Sequence, residues 1–511
     1  MALFGKSGPD VSDPNVTNPR ADEPSELDLD VANAFVEMGT RDSNAPVKSG
    51  LAKETLVSLL YQQADLLAKQ GQHKQSSTLF EFAVHLSGAK LKDANTDQGF
   101  TDLEQQARYL MTNGRFALAV KILESLSAAA PENLEVHLNL ASIFHVQNRQ
   151  DDARKLLVSF FAQYPTEFIP AKDGTARKGT LFVASGFDKT YYKIGTRENG
   201  TFQRYRRGGH FMLKHLLNTD PYDQYAYTVS SDNINQSSPD MQYDLLLNTI
   251  ADADTEYNSL KSLEAYTTEH PKAPIINHPS NVLKTTRDQN YQRLNVIPGI
   301  RFPNTQRFFV GDKPVQTIMD EIEAAAFEFP LIIRETGTHT AVSTLLVTKK
   351  SELEAYIADV SGDCVYVIEF IENASAEGHY TKMRFFAIDG QLYPVVRHVD
   401  KVWNVHGGNR KTFMNDHEWM IEKEKQFLAD PASVISEDTF ALLKKLPEFI
   451  GLEFFGFDFT ILNDGAVLIF ELNPAMRHSF SHAKNSPYMR PHLQKISDAF
   501  QAMVDRKIAS N

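Results

Sequence analysis

Ala107, Gly114, Ala119 and Pro131 recur as Ala141, Asn148, Ala153 and Pro165, each 34 residues later. A repeat of that length is one supersecondary unit that buries its apolar face against the next copy. Residues 51–170 read as helical throughout. The recurring small residues let two antiparallel helices approach closely, and Gly114 and Asn148 suit a left-handed turn between them. An earlier unit carries Ala64 and Gly71 at the same internal spacing, followed by the extra stretch GAKLKDANTDQGF. Three such units predict a short curved stack of helix pairs. Such a stack serves either as a groove for a peptide or protein, or as a dimerisation or packing surface.

The repeats occupy a minority of the 511 residues, which are enough for about three domains. Residues 1–50 are rich in Pro, Asp, Ser and Asn and are expected to be disordered. They lack the apolar core of a secretory signal, and no apolar run reaches the length of a membrane span, so a cytoplasmic, non-membrane protein is expected. A formal net charge of −13 argues against nucleic acid as the main partner. The single cysteine, Cys364, excludes an internal disulfide and reads as a packing residue. From Arg177 the texture changes: KGTLFVASGF, YAYTVSS and DLLLNTIAD have strand length, while HFMLKHLL and EYNSLKSLEAYTTEH have helical spacing. Residues 177–300 therefore predict an α/β domain. From Arg301 to the end, FPLIIRE, CVYVIEFIE, KMRFFAIDG, QLYPVVRHV, FFGFDFTIL and AVLIFELN read as strands, and HEWMIEKEKQFL and SEDTFALLKKLPEFI as amphipathic helices. The fold class is α+β.

The last two strands hold an anomaly. In GFDFTILNDGAVLIFELNP, Asp464-Gly465 signals a two-residue hairpin loop. Pairing Asn463 with Ala466 then sets Asp458 opposite Glu471, about 5 Å apart at Cβ. Asn473 falls on the same side, opposite Gly456, which leaves room. Two carboxylates opposed among Phe457, Phe459, Leu468 and Phe470 need something positive between them. Three oxygen donors, from Asp458, Glu471 and Asn473, suit Mg²⁺, with Mn²⁺ as an alternative. The competing readings are an ion pair to a nearby arginine and an exposed pair that merely repels.

Asp458, followed on the next strand by Glu471-Leu472-Asn473, resembles the metal motif of the ATP-grasp ligases. The order of the preceding segments is similar too. IINHPSNVLKTTRDQ followed by GIRFPNT resembles the entry to that fold, and FPLIIRETGTHTAVSTLLV the strand and loop that cover the triphosphate. VIEFIE resembles the linker that cradles adenine, which assigns Glu369, Phe370 and Ile371 to the base. MRFFAIDGQLYPVVRHV resembles the strand pair whose first arginine, here Arg384, reaches the γ-phosphate and the acyl phosphate. The 34-residue period resembles the tetratricopeptide repeat. Two positions depart from the pattern: Arg334 stands where the family has a strand lysine, and Gln289, beside Asp288, where it has another. Arginine can replace lysine on phosphate and binds it bidentately. A bacterial group that joins tetratricopeptide repeats to an ATP-grasp domain is similar in its arginine at position 334, in a WxVH-like stretch (Trp403, Asn404, Val405, His406) and in Met476-Arg477-His478.

The resemblance implies an ATP- and Mg²⁺-dependent carboxylate–amine ligase, with the nucleotide domain at residues 301–511. Arg334 and Arg384 would clamp phosphate. The substrates implied are a small-molecule or peptide carboxylate and an amine, with a protein or peptide partner on the repeats. His339 reads either as a phosphate ligand or as a loop histidine. Arg397 reads as an anion holder or a surface ion pair, and Arg477 and His478 as substrate-orienting or plain loop residues. Arg197, Arg204, Arg206 and Arg207 form either an anion site or a solvated loop. Glu422, Lys423 and Glu424 are expected on a charged outer helix face. The rival functions are a catalytically silent nucleotide-binding scaffold and a kinase on the same fold.

Overall fold

The structure, a computed structural model, describes residues 53–87, 94–196, 202–230, 241–270, 273–338, 343–406, 408, 410 and 413–510. The expectation of a disordered segment at 1–50 lies outside these residues, as do those for Arg197 and His339. The chain divides into two compact units: the part up to Tyr164 together with Tyr191–Arg207, and Pro165–Thr190 together with Gly208 onward.

Among the described residues the first unit holds three antiparallel helix pairs: α1 (Lys53–Lys69) with α2 (His73–Ser87), α3 (Asp97–Thr112) with α4 (Phe116–Ala129), and α5 (Leu134–Val146) with α6 (Gln150–Gln163). The turns between partners use Gly71, Gly114 and Asn148 at φ 78°, 70° and 58°, the left-handed geometry expected of Gly114 and Asn148. Ala64, Ala107 and Ala119 are fully buried where the helices meet. Thr96 caps α3 by accepting from the Gly99 N–H, and Asn133 caps α5 by accepting from the Val136 N–H. After β1 (Thr166–Ile169) and β2 (Gly179–Gly186) the chain forms a hairpin, β3 (Tyr191–Thr196) with β4 (Phe202–Arg207), which belongs to this helical unit.

Among the described residues the second unit holds three sheets. In the first, β2, β5 (Tyr222–Val229), β6 (Leu245–Asn248) and β7 (Ile275–Ile276) run parallel, with β1 antiparallel on the edge beside β5; α7 (Tyr257–Glu269) covers one face. HFMLKHLL forms only a single 3₁₀ turn, Leu213–His215, instead of the helix its spacing suggests; Leu216 and Leu217 are buried directly after it. The short strand β8 (Ile300–Arg301) follows α8 (Arg287–Leu294). A small antiparallel sheet comes next, in the order β11 (Leu345–Val347), β10 (Leu331–Glu335), β12 (Cys364–Glu369), β9 (Thr305–Phe309). The large sheet runs β14 (Gln391–Asp400), β13 (Tyr380–Ile388), β15 (Phe454–Ile461), β16 (Val467–Asn473), β8. One of its faces, with Phe385, Phe457, Phe459 and Ile469, shares a core with Phe182, Tyr227 and Leu246 of the first sheet. The other, with Phe386, Phe454 and Val396, packs with Phe500 and Met503 of the C-terminal helix α10 (Arg490–Ala509), which follows α9 (Glu418–Ala429). Alternation along each strand thus fills two cores at once, as expected of a sheet covered on both sides. Among the described residues no helix is long and apolar enough to cross a membrane.

Candidate functional site

Asp458 lies opposite Glu471, and Gly456 opposite Asn473. The pairing agrees with the sequence expectation, but the chain reaches it by another route. The loop is not Asp464-Gly465 alone. Leu462 donates to the Ala466 carbonyl and the Gly465 N–H to the Leu462 carbonyl, enclosing three residues with Gly465 at φ 84°. That loop shifts the register by one, so Ile461 pairs with Val467. A β-bulge leaving Phe470 unpaired between Ile469 and Glu471 shifts it back. Gly456 is required: a Cβ there would lie 2.7 Å from the Met476 sulfur, so the room opposite Asn473 is filled by Met476.

Asp458 also pairs on its other side with Arg384, so one rung crosses three strands as Arg384, Asp458 and Glu471. A second bulge, between Arg384 and Phe385, adjoins the same rung; Pro394, with no N–H to offer a ladder, sits at that irregularity. Arg384 grips Asp458 through both carboxylate oxygens, Nε to Oδ1 at 2.5 Å and Nη2 to Oδ2 at 2.8 Å. Lys382 adds a contact at 3.3 Å. Glu471 is held by Arg287, 3.0 Å from its Oε1, and accepts from Asn473 Nδ2 at 2.9 Å. Arg287 is fixed by the bulge itself: it donates to the carbonyl of Phe470 at 2.8 Å.

Burial alone would raise both carboxyl pKa values. The pull of Arg384 and Lys382 outweighs it at Asp458, which is held well below its ordinary value. At Glu471, Arg287 and Arg334 outweigh burial and the repulsion of Asp458, bringing the carboxyl to about 2. Arg334 shows the opposite strain: burial and the neighbouring Arg287 pull it down to about 10. Four cations therefore surround two ionised carboxylates, and the rung carries an excess of positive charge. The Asn473 Oδ1 atom is buried with no hydrogen-bond partner.

A cleft opens beside the rung, lined by Glu471, Asn473, Arg287, Arg334, Asp254 and Tyr366 among others. Arg334 on β10 lies opposite Tyr366 on β12, and Tyr366 opposite Arg307 on β9, so one row of the small sheet faces the cleft. Arg334 donates to the carbonyl of Thr338, at the start of the loop that follows. Tyr366 donates to Asp254 at 2.8 Å, and Arg307 bridges Asp254 at 2.5 Å and Asp288 at 3.2 Å. Burial and the nearby Asp252 push the Asp254 carboxyl up against the pull of Arg307.

The structure thus brings together Arg334, Arg384, Asp458, Glu471 and Asn473. It also supplies Arg287, Lys382, Asp254, Arg307 and Tyr366, none of which the sequence reading assigned. Gln289 carries no charge, but Arg287, two residues earlier, reaches Glu471. Glu369 ends β12, where it binds Arg301 at 2.6 Å and the Asn304 N–H; Phe370 and Ile371 follow, half-buried, with Phe370 edge-on to Trp403. Arg397 is not on the rung's face. It pairs with Met383, on the opposite face from Arg384, and its Nε and Nη1 are buried without partners. His478 is buried against Phe386 and bonded to Ser497 of α10, and burial lowers it to about 4; Arg477 is exposed. Glu422 and Lys423 are on an exposed face as expected, but Glu424 is not. It is fully buried and binds Arg410, Tyr488 and the backbone N–H of Arg397.

The donor set can be tested for a cation. Among the described residues no three His, Cys, Asp or Glu side chains are grouped to hold a metal. Two ionised carboxylates and an unpartnered amide oxygen on one face nevertheless suit a hard cation. Both Asp458 oxygens contact Arg384, with which an ion would share them.

Residues 110–170 match the tetratricopeptide repeat family model. No curated protein matches the chain. The chain is similar to D-alanine–D-alanine ligase from Bacillus anthracis complexed with ATP, at 12% identity over 64% of this chain and 98% of that one, with a TM-score of 0.35. It is similar to VanG D-Ala:D-Ser ligase from Enterococcus faecalis at 13% identity over 64% and 98%, TM-score 0.37. A RimK domain ATP-grasp protein from Sphaerobacter thermophilus matches at 12% identity over 63% and 99%, TM-score 0.33.

Proposed function

We propose that this chain is an ATP- and Mg²⁺-dependent carboxylate–amine ligase of the ATP-grasp type. The observation that carries the reading is the charged rung. Arginines from three separate segments, Arg287, Arg334 and Arg384, converge with Lys382 on two carboxylates that they do not balance. A rung with positive charge to spare suits a polyphosphate. Asp458, Glu471 and Asn473 would hold Mg²⁺, which when bound draws charge from the phosphate oxygens. Arg287 and Arg334 bind and orient the phosphate chain. Arg384 leaves part of its grip on Asp458 for the γ-phosphate and then for the acyl-phosphate oxygens. The substrate carboxylate oxygen attacks the γ-phosphorus and ADP leaves; the amine nitrogen then attacks the acyl carbon, phosphate leaves and an amide remains. No protein nucleophile is needed.

The test is phosphate release by the full chain with ATP and Mg²⁺ against mixed amino acids, peptides and small carboxylates. Turnover that disappears in Asp458→Ala supports the ligase. Turnover indifferent to that change, or absence of nucleotide binding, overturns it. The closed bidentate Arg384–Asp458 pair favours one second reading, a silent nucleotide-binding scaffold. Tight nucleotide binding with no turnover on any acid would select it, and a phosphorylated product in place of an amide would point to a kinase.

A further inference from the structure

Helix α5 is buried on every side: the nine residues Val136–Phe144 are all inaccessible, including the polar His137, Asn139 and Ser142. A helix in a two-layer repeat stack shows one face to solvent. Here α4 and α6 cover two sides, and β3 of the hairpin covers the third.

The contact is specific. Arg204 on β4 forks onto Glu135, Nη1 to Oε2 at 3.1 Å and Nη2 to Oε1 at 2.8 Å. The same guanidinium donates to Asn139 Oδ1 at 2.9 Å. Tyr191 on β3 stacks on His145 at the far end of α5, with ring centroids 4.6 Å apart. The hairpin bond and charge of Arg204 pull the Glu135 carboxyl below its ordinary value. An extended segment with one planar, bidentate cation and one aromatic ring therefore fits this face as a peptide ligand would.

The hairpin is also an excursion from the second unit. It leaves at Thr190 and returns at Gly208, and these meet: a Cβ on Gly208 would lie 2.5 Å from Thr190 Oγ1. Thr190 is itself anchored to Glu256 at 2.8 Å. The ends would close without the seventeen residues between them, so the sheets of the second unit do not require them.

We propose that the Tyr191–Arg207 hairpin is the resident ligand of the helical repeats, anchored by Arg204, and that no outside peptide occupies this face of α5 while the hairpin is seated. This does not depend on the ligase reading.

Trypsin applied to the full chain tests it, reading cleavage after Arg206 and Arg207, because cleavage tracks the population of the released hairpin. Glu135→Lys is expected to raise that rate about tenfold. The double reversal Glu135→Lys with Arg204→Glu is expected to bring it back to within about twofold of the parent. Equal rates in the parent and Glu135→Lys overturn the proposal. So does a rise that the double reversal fails to undo, since the pairing of positions 135 and 204 would then not set the rate. Helical circular dichroism checks folding; if Glu135→Lys unfolds, Asn139→Ala replaces it, a raised rate supporting the proposal and an unchanged rate overturning it.

Discussion

Glu424 and Asp458 are both buried carboxylates in the second unit, at 0% and 2% exposure, and each is gripped by an arginine. Their surroundings separate them. Glu424 is closed in: Arg410, only 10% exposed, takes one oxygen together with Tyr488, and the N–H of edge-strand residue Arg397 takes the other. Its work is to cover the open edge of β14 with α9. Asp458 is held by Arg384 and Lys382, whose side chains remain 22% and 21% exposed, next to an amide oxygen with no partner. The same pair of charges is a structural bolt where its cation is sealed and, on the proposed function, a ligand site where its cation still meets solvent.

The largest expected effect separates them by activity. Asp458→Asn should lower any nucleotide turnover by at least about 10²-fold, while Glu424→Gln in the surviving folded fraction leaves it within a few-fold; equal losses would break the contrast. Stability should reverse the order. Glu424→Gln leaves Arg410 sealed without its counter-charge and should cost about 3–5 kcal/mol. Asp458→Asn, whose cations can hydrate, should cost about 1–2 kcal/mol in urea unfolding. Acid sharpens the difference further. Glu471 sits at about 2 against an ordinary 4.5, so its stabilisation is complete above about pH 4.5 and is lost as pH falls towards 2. His478 sits at about 4 against 6.5, so its neutral burial is favourable above about 6.5 and costs progressively more as pH falls towards 4. Urea midpoints against pH should show both declines, and His478→Asn should reduce the upper one, which His482 and buried His398 share, without changing the lower. A smaller effect is Asn473→Ala: it removes the Nδ2 donation to Glu471 along with the unpartnered Oδ1, so stability should fall by about 1 kcal/mol. Mg²⁺-dependent nucleotide affinity should still fall.

Much of this was legible in the chain. The 34-residue period located the helix turns, because left-handed geometry restricts Gly114 and Asn148 whatever surrounds them. The strand pattern gave the pairing of Asp458 with Glu471, although the loop and the Phe470 bulge were two compensating errors that periodicity cannot detect. Arg287 was invisible for a different reason. Its partner lies 184 positions later, and nothing local in TTRDQ marks a side chain that will cross to another sheet. Glu424 failed similarly. Its neighbours Glu422 and Lys423 are solvated, and helical charge patterning does not reveal that a strand edge elsewhere needs an acceptor.

The surplus residue in β16 makes the final hairpin tolerant in one respect and fragile in another. Deleting Phe470 would leave Ile469 facing Phe459 and Glu471 facing Asp458, so the acidic partners would stay in step. What would vanish is the perch: a carbonyl freed from the ladder, on which Arg287 now rests. Loss of a single uncharged residue would thus cast adrift a cation contributed by the start of α8, leaving the acids aligned but their guard unmoored.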